Sequence, residues 1–275
     1  MIPGAIAAPG VVHRFHPSFA VGNIRTTHRT ARVSPSLHLT LFGTIEIRGP
    51  GPASELTGRP KPFALFCYLL LARPAGFHQR DRLAGLFWPD QPEGKARASL
   101  RNVLYGLRET LGAEVILTRG DEEVAIASDH VACDVRAFAN ALERGELARA
   151  LELYRGELLA GVYFDAPALE HWLDAERAGY RNAAAEAAWA LAERSETSSD
   201  LTSATRWARK AARLAGADER RIRRILTLMA RAGDRVGALE VYEEFVRYAA
   251  RELETAPSLE TQEVAREIRE ATRRG

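Results

Sequence analysis

The stretch Leu83–Gly112, LAGLFWPDQPEGKARASLRNVLYGLRETLG, decides the fold. Its first residues complete a short helix begun near Gln79, with Leu83, Leu86 and Phe87 inward. Trp88-Pro89-Asp90-Gln91-Pro92 is a proline-bounded turn, with Trp88 its buried anchor and Asp90 suited to capping the helix ahead. That helix starts near Glu93 and stops at Gly112, since glycine readily ends helices. Ala96, Leu100, Val103, Leu104, Leu107 and Leu111 recur at the spacing of one buried face. At about 100° per residue, Arg101, Asn102, Tyr105 and Arg108 project away from it. Ala98 shares the outer side, and Lys95, Arg97 and Ser99 flank it near the amino-terminal end.

Working outward, Leu37–Ile47 alternates with period two and predicts one strand, or two short ones broken at Gly43. Pro60-Lys-Pro62 opens a helix that runs to Arg73-Pro74. On the other side, Val115–Ala127 reads as two strands joined by Gly120-Asp121. Helix, turn, basic helix and hairpin, in that order, make a winged helix-turn-helix, a unit that reads DNA through the major groove. Arg101 offers paired donors to guanine and Asn102 can pair with adenine; the plain alternative is a solvated helix face. Lys95 and Arg97 suit phosphate better than bases, and Arg80 and Arg82 on the preceding helix are further backbone candidates. Thr118 and Arg119 stand next to the wing tip. Asp121, Glu122 and Glu123 are also there and would repel phosphate unless turned away.

From Asp134 onward the pattern is helical, with segments expected at about 134–144, 146–159, 166–194, 200–214, 218–232, 234–252 and 258–271. The pair beginning at Asp218 and Asp234 carries Ala238, Leu239, Tyr242 and Phe245 on one face, as in tetratricopeptide units. The expected fold is mainly α: a winged helix-turn-helix over residues 36–132, then an all-α tetratricopeptide-like domain over 133–275. A disordered arm over residues 1–35 precedes them, with four prolines and four arginines. Residues 36–132 hold 11 basic and 11 acidic groups, so weak nonspecific affinity for nucleic acid is the consequence. Arg220, Arg221, Arg223 and Arg224, with Arg231 and Arg235, make one helix pair basic; a solvated face is the default, and DNA or an acidic polymerase surface the sharper alternative.

Cys67 and Cys133 lack metal-ligand spacing and read as buried, inert thiols. His171 and Trp172 have no nucleophile or metal partner in the pattern, and no phosphate loop follows a strand, so no enzyme, metal or cofactor is expected. No apolar run reaches the roughly 20 residues of a membrane span, and the first residues lack the charge and length of an export signal.

Six stretches resemble the AfsR/SARP group of bacterial transcriptional activators. They are LHLTLFGTIEIRG, ALFCYLLLARPAGFHQRDRLAGLFWPD, KARASLRNVLYGLRETLG, CDVRAFANAL, ALELYRGELLAGVYFDAPALEHWLDAERAGY and AGDRVGALEVYEEFVRYAARELETAPSLET. Together they cover about residues 37–271. The resemblance implies an OmpR-type winged helix joined to a bacterial transcriptional activator domain, without the ATPase module of larger members. It implies protomers bound head to tail on direct repeats of double-stranded DNA, a homodimer there, and contact with RNA polymerase. Arg97, Ser99, Arg101, Asn102, Tyr105 and Arg108 then fall on the recognition helix, and Thr118 and Arg119 on the wing. Gly106 departs from the larger polar residue often found there.

The expected function is a sequence-specific DNA-binding regulator, an activator working in the cytoplasm at the nucleoid. The alternative is a tetratricopeptide-like interaction scaffold whose first domain binds DNA weakly or no longer.

Overall fold

The computed structural model describes residues 35–274. The arm expected over residues 1–35 lies, apart from Pro35, outside the described residues. Alternation of Leu37 and Leu39 with His38 and Thr40 gives β1 (Leu37–Thr40) one face in the core. Gly43, at φ +79°, turns the chain back, and a side chain there would meet the Arg155 carbonyl oxygen at 3.4 Å. The returning strand, β2 (Glu46–Arg48), pairs antiparallel with β1, Ile47 opposite Leu39. A 3-10 turn over Ala53–Gly58 leads into α1 (Pro60–Leu71), which begins on a proline as the sequence predicts.

β3 (His78–Gln79) runs directly into α2 (Arg80–Phe87), and α3 (Glu93–Leu111) follows the turn. The wing is β4 (Ile116–Arg119) and β5 (Glu123–Ile126), antiparallel with Thr118 opposite Val124. β3 pairs with the outer side of β5, giving the order β3-β5-β4. β6 (Val131–Cys133) then returns to the first sheet, parallel to β1, for the order β2-β1-β6. Neither β3 nor β6 is expected from sequence, because two or three residues are too few to display a period of two.

The remaining helices are α4 (Asp134–Glu143), α5 (Leu147–Leu153), α6 (Pro167–Thr197), α7 (Leu201–Leu214), α8 (Glu219–Arg231), α9 (Arg235–Glu252) and α10 (Leu259–Arg274). Asp200, Asp218 and Asp234 start α7, α8 and α9, accepting from the backbone N–H of Ser203, Arg221 and Gly237 at 3.0, 3.0 and 2.9 Å. Each such cap is worth about 1 kcal/mol. Small residues line the close helix contacts: Ala184, Ala188, Ala204, Ala208 and Ala211 are fully buried where α6 meets α7. The architecture is the expected one, a winged helix-turn-helix followed by a tetratricopeptide-like helical array.

Two local expectations fail. The helix expected over 146–159 stops at Leu153, because the chain that follows crosses to the first sheet. There Leu158 bridges Phe42, the Leu159 N–H reaches the Leu41 carbonyl at 2.9 Å, and the Gly43 N–H reaches Glu157 at 2.9 Å. Arg177 on α6 holds the crossing from behind, donating to the carbonyls of Leu158, Leu159 and Val162 at 3.0, 2.7 and 3.0 Å. Asp90 makes no cap: α3 starts at Pro92, where no side chain accepts from the helix. The N–H groups of Lys95 and Ala96 turn instead to the Pro92 carbonyl, at 2.8 and 3.0 Å. Trp88 is buried as expected.

Asp134 joins the two parts of the molecule. Its carboxylate accepts from the backbone N–H of Leu41 at 2.9 Å and of Phe42 at 3.0 Å, and from Val135 at 2.8 Å. Phe42 then sits among Phe138, Tyr154 and Tyr180, with ring centroids 5.4, 4.9 and 5.5 Å away. Tyr68 on α1 meets Trp172 on α6 edge-on at 4.9 Å, and Arg73 donates to the Tyr180 hydroxyl at 3.1 Å. Burial drives the Tyr180 hydroxyl up to about 12. Both cysteines are buried, and burial raises Cys67 and pushes Cys133 up to about 12, which keeps the thiols protonated and inert.

Replacing Asp134 by alanine strands two strand-end donors inside the junction. Loss of roughly 2–4 kcal/mol of unfolding free energy is expected in a denaturant titration, with Asp134→Asn retaining part of it.

Candidate nucleic-acid interface

α2 and α3 are set by the turn between them. Lys61 donates to the carbonyl of Phe87 at 2.8 Å, closing the carboxyl end of α2, and its ammonium lies 5.7 Å from the Trp88 ring. Ala96, Leu100, Leu104, Leu107 and Leu111 are buried and Val103 is half-buried, so the stripe predicted from the sequence is the packed face of α3. Arg101, Asn102 and Tyr105 are exposed on the opposite side, with Tyr105 65% exposed; Arg108 is half-buried at the shoulder. None of these four side chains makes a hydrogen bond or ion pair among the described residues. Lys95 is exposed in the same way. An unpartnered arginine on a solvent-facing helix carries its full charge and donor set outward.

Three more of the predicted residues are engaged. Arg97 donates to Asp81 on α2 at 2.5 Å and lies 3.1 Å from Glu93 one turn back. A hydrogen bond to Asp81 and that carboxylate's charge raise the Arg97 guanidinium above its ordinary value. Ser99 donates to the Gln91 side chain at 3.0 Å, tying α3 to the turn. On the wing, Arg119 pairs with Glu123 at 3.1 Å and stacks over Phe77 with its guanidinium carbon 4.1 Å from the ring centroid. Thr118 is exposed beside it.

Arg80 and Arg82 separate. Arg80 joins Arg97 and Arg101 around a hollow of about 430 Å³ between α2, α3 and the wing, whose other walls include Asp81, Asp121 and Glu122. The Arg80 backbone N–H reaches the Glu122 carbonyl at 2.8 Å, while its buried Nε has no partner among the described residues. Arg82 instead lines a second hollow with Tyr68, Phe77 and His78, away from α3. There burial, and then the charge of Arg82, lowers the His78 pKa. The wing acids therefore do not all turn outward: Asp121 and Glu122 face the same hollow as Arg97 and Arg101.

Three participants escape sequence reasoning. Asp81 and Gln91 act across the turn, at 16 and 8 residues' separation, which no helical period reports. Arg59 lies across α3, with a terminal nitrogen 3.4 Å from where a side chain on Gly106 would begin. It donates to Thr110 at 3.4 Å, and Thr110 donates to the Gly106 carbonyl at 2.7 Å. The tip of Arg59 is thus what a side chain at position 106 would meet among the described residues.

The arginine run of α8 is not a free basic face. Arg221, Arg224 and Arg231 pair with Glu186, Glu193 and Glu196 of α6 at 2.5, 3.1 and 2.5 Å, and Arg224 also covers the Trp189 ring. Arg223 donates to Thr261 at 2.9 Å, docking α10. The sequence hides this because the acids sit 35 or 31 residues upstream. Among the described residues no cluster of histidine, cysteine and acidic groups would hold a metal ion, and no helix is long and apolar enough to cross a membrane.

A family profile described as "Bacterial transcriptional activator domain" matches residues 124–269, over half of the chain. The chain belongs to that family. The match bears out the AfsR/SARP resemblance, and the family is one of transcriptional regulators. No curated protein matches the chain. Among solved structures it is similar to Mycobacterium tuberculosis EmbR in complex with a low-affinity phosphopeptide, with 19% identity and a TM-score of 0.53. That likeness is one of fold; it covers 86% of this chain and 65% of the other.

Gly106→Ala should raise stability by about 0.5–1 kcal/mol, since Arg59 is the flexible tip of an exposed side chain and can yield. A higher thermal midpoint is the expected readout, and a lower one would mean that the Arg59 contact outweighs helix propensity.

Proposed function

We propose that the chain is a sequence-specific DNA-binding activator that lays α3 in the major groove and carries its helical array toward the transcription machinery. Residues 36–132 are then the DNA-binding unit and 133–275 the activating one. The observation that carries this reading is the outward row Arg101, Asn102 and Tyr105, exposed, with half-buried Arg108 at its shoulder, all without side-chain partners among the described residues, on a helix whose other face is packed into the core. Arg101 suits the O6 and N7 acceptors of guanine and Asn102 the N6–N7 pair of adenine, each worth about 1–3 kcal/mol of discrimination. Tyr105 brings apolar surface suited to a thymine methyl group. Lys95 and Arg80 serve as phosphate contacts.

The family to which the chain belongs supports an assembly on direct repeats, head to tail, with RNA polymerase as the partner reached through the helical domain. The protein acts in the cytoplasm at the nucleoid. The scaffold reading keeps one specific argument: Arg97 and Arg119, two of the cations expected at the interface, are held by acids.

Selection of genomic fragments on the purified protein distinguishes the two. Enrichment of a direct-repeat motif is expected, with binding that weakens as salt is added. Arg101→Ala should cost about 1–3 kcal/mol at one base position and relax the preference there. Lack of enrichment, with affinity indifferent to Arg101 and Arg108, would sink the DNA-reading function and favour the scaffold.

A further inference from the structure

Arg97 stands in the first turns of α3, where a cation meets the phosphate backbone rather than the base edges. It is nevertheless enclosed by carboxylates. Asp81 accepts from it at 2.5 Å, Glu93 lies at 3.1 Å, and Glu122 and Asp121 share the hollow it lines. The guanidinium and the Asp81 carboxylate are each about half exposed, so the pair sits on the surface that would approach a duplex. The terminal nitrogen of Arg97 that meets both Asp81 and Glu93 is taken, and a phosphate approaching the guanidinium would face those carboxylates as well. Nonspecific affinity comes almost wholly from such phosphate contacts, so withholding one cation removes a sequence-independent share of binding.

We propose that Asp81 sets the affinity of this interface, acting through Arg97 as the counter-ion that keeps its guanidinium off the phosphate backbone. This rests on the DNA-reading function proposed above. It explains how a helix with several arginines coexists with a domain of zero net charge: the neutral balance is concentrated where it suppresses binding to bulk DNA. Since a genome offers on the order of 10⁶–10⁹ competing nonspecific sites, a low nonspecific affinity leaves more protein for its targets.

The test is a salt titration on a random-sequence duplex and on the best selected fragment, with the wild-type chain, Asp81→Asn, Arg97→Ala and the double variant. Arg97→Ala alone frees the Asp81 carboxylate to repel phosphate, so random-duplex affinity should fall somewhat, while the salt slope stays nearly unchanged because no phosphate contact is lost. Asp81→Asn should raise random-duplex affinity about three- to tenfold and steepen the log–log salt slope by about 0.9, the increment for one added phosphate contact. The double variant should lose both gains. If Arg97→Ala instead flattens the slope by that same increment, Arg97 already reaches phosphate and the proposal is overturned. That measurement stands even if Asp81→Asn fails to fold. An Asp81→Asn protein that folds and binds no tighter overturns it as well. Failure of the DNA reading itself shows separately, in a wild-type chain that prefers no fragment.

Discussion

The carboxylate of Asp134 gathers three backbone donors at the point where β1 ends and α4 begins. Leu41 and Phe42 have left the sheet there, so their N–H groups have no strand partner and would otherwise be stranded in the junction. A charged acceptor satisfies both, and hydrogen bonds to charged groups each contribute about 1.5–3 kcal/mol. Much else follows from where this fixes the chain. Phe42 is directed into the rings of α4, α5 and α6, and the carbonyl of Leu41 is turned to the N–H of Leu159. The crossing at 157–159 is thereby seated on the sheet, and Arg177 closes its far side.

A second contact joins the two parts at a separate point. The carboxyl end of α1 packs on α6 through Tyr68 and Trp172, while Arg73 reaches Tyr180 and, at 3.8 Å, Glu176. The first junction holds β1 and the second holds α1, on which α3 packs. With two separated attachments and one continuous core, the direction of α3 is fixed relative to the helical array. In the proposed function this keeps a constant geometry between a partner held by one part and a surface recognised by the other.

Most of the fold is legible in the sequence where periodicity is long enough to be read. The stripe from Ala96 to Leu111 gives both the extent and the buried face of α3, and Gly120-Asp121 gives the wing turn. What stays hidden is of two physical kinds. β3 and β6 are too short to carry a pattern and exist because longer neighbours offer them free edges. The end of α5 at Leu153 is set by a strand terminus over a hundred residues earlier, which the local helical pattern through 159 does not report. The site divides in the same way. The outward positions of Arg101, Asn102 and Tyr105 follow from helix geometry alone, whereas the engagement of Arg97 by Asp81, of Ser99 by Gln91 and of Arg59 with α3 depends on contacts between elements.

The distribution of charge is resolved only in three dimensions. Counted along the chain, acids and bases cancel, which argues against any strongly basic surface. In space the cancellation is selective. α6 acids take up Arg221, Arg224 and Arg231 of α8, Asp81 takes up Arg97, and Glu123 takes up Arg119. Exposed pairs of this kind add little stability, typically below about 1 kcal/mol. Their larger consequence is to decide which cations remain. On α3 those are Arg101 and Arg108, beside Asn102 and Tyr105, with Lys95 flanking them near the amino-terminal end. In the proposed function, a surface arranged so gains little from charge density and draws its affinity from fitted contacts, the regime in which a recognition helix discriminates between sequences instead of adhering to all of them.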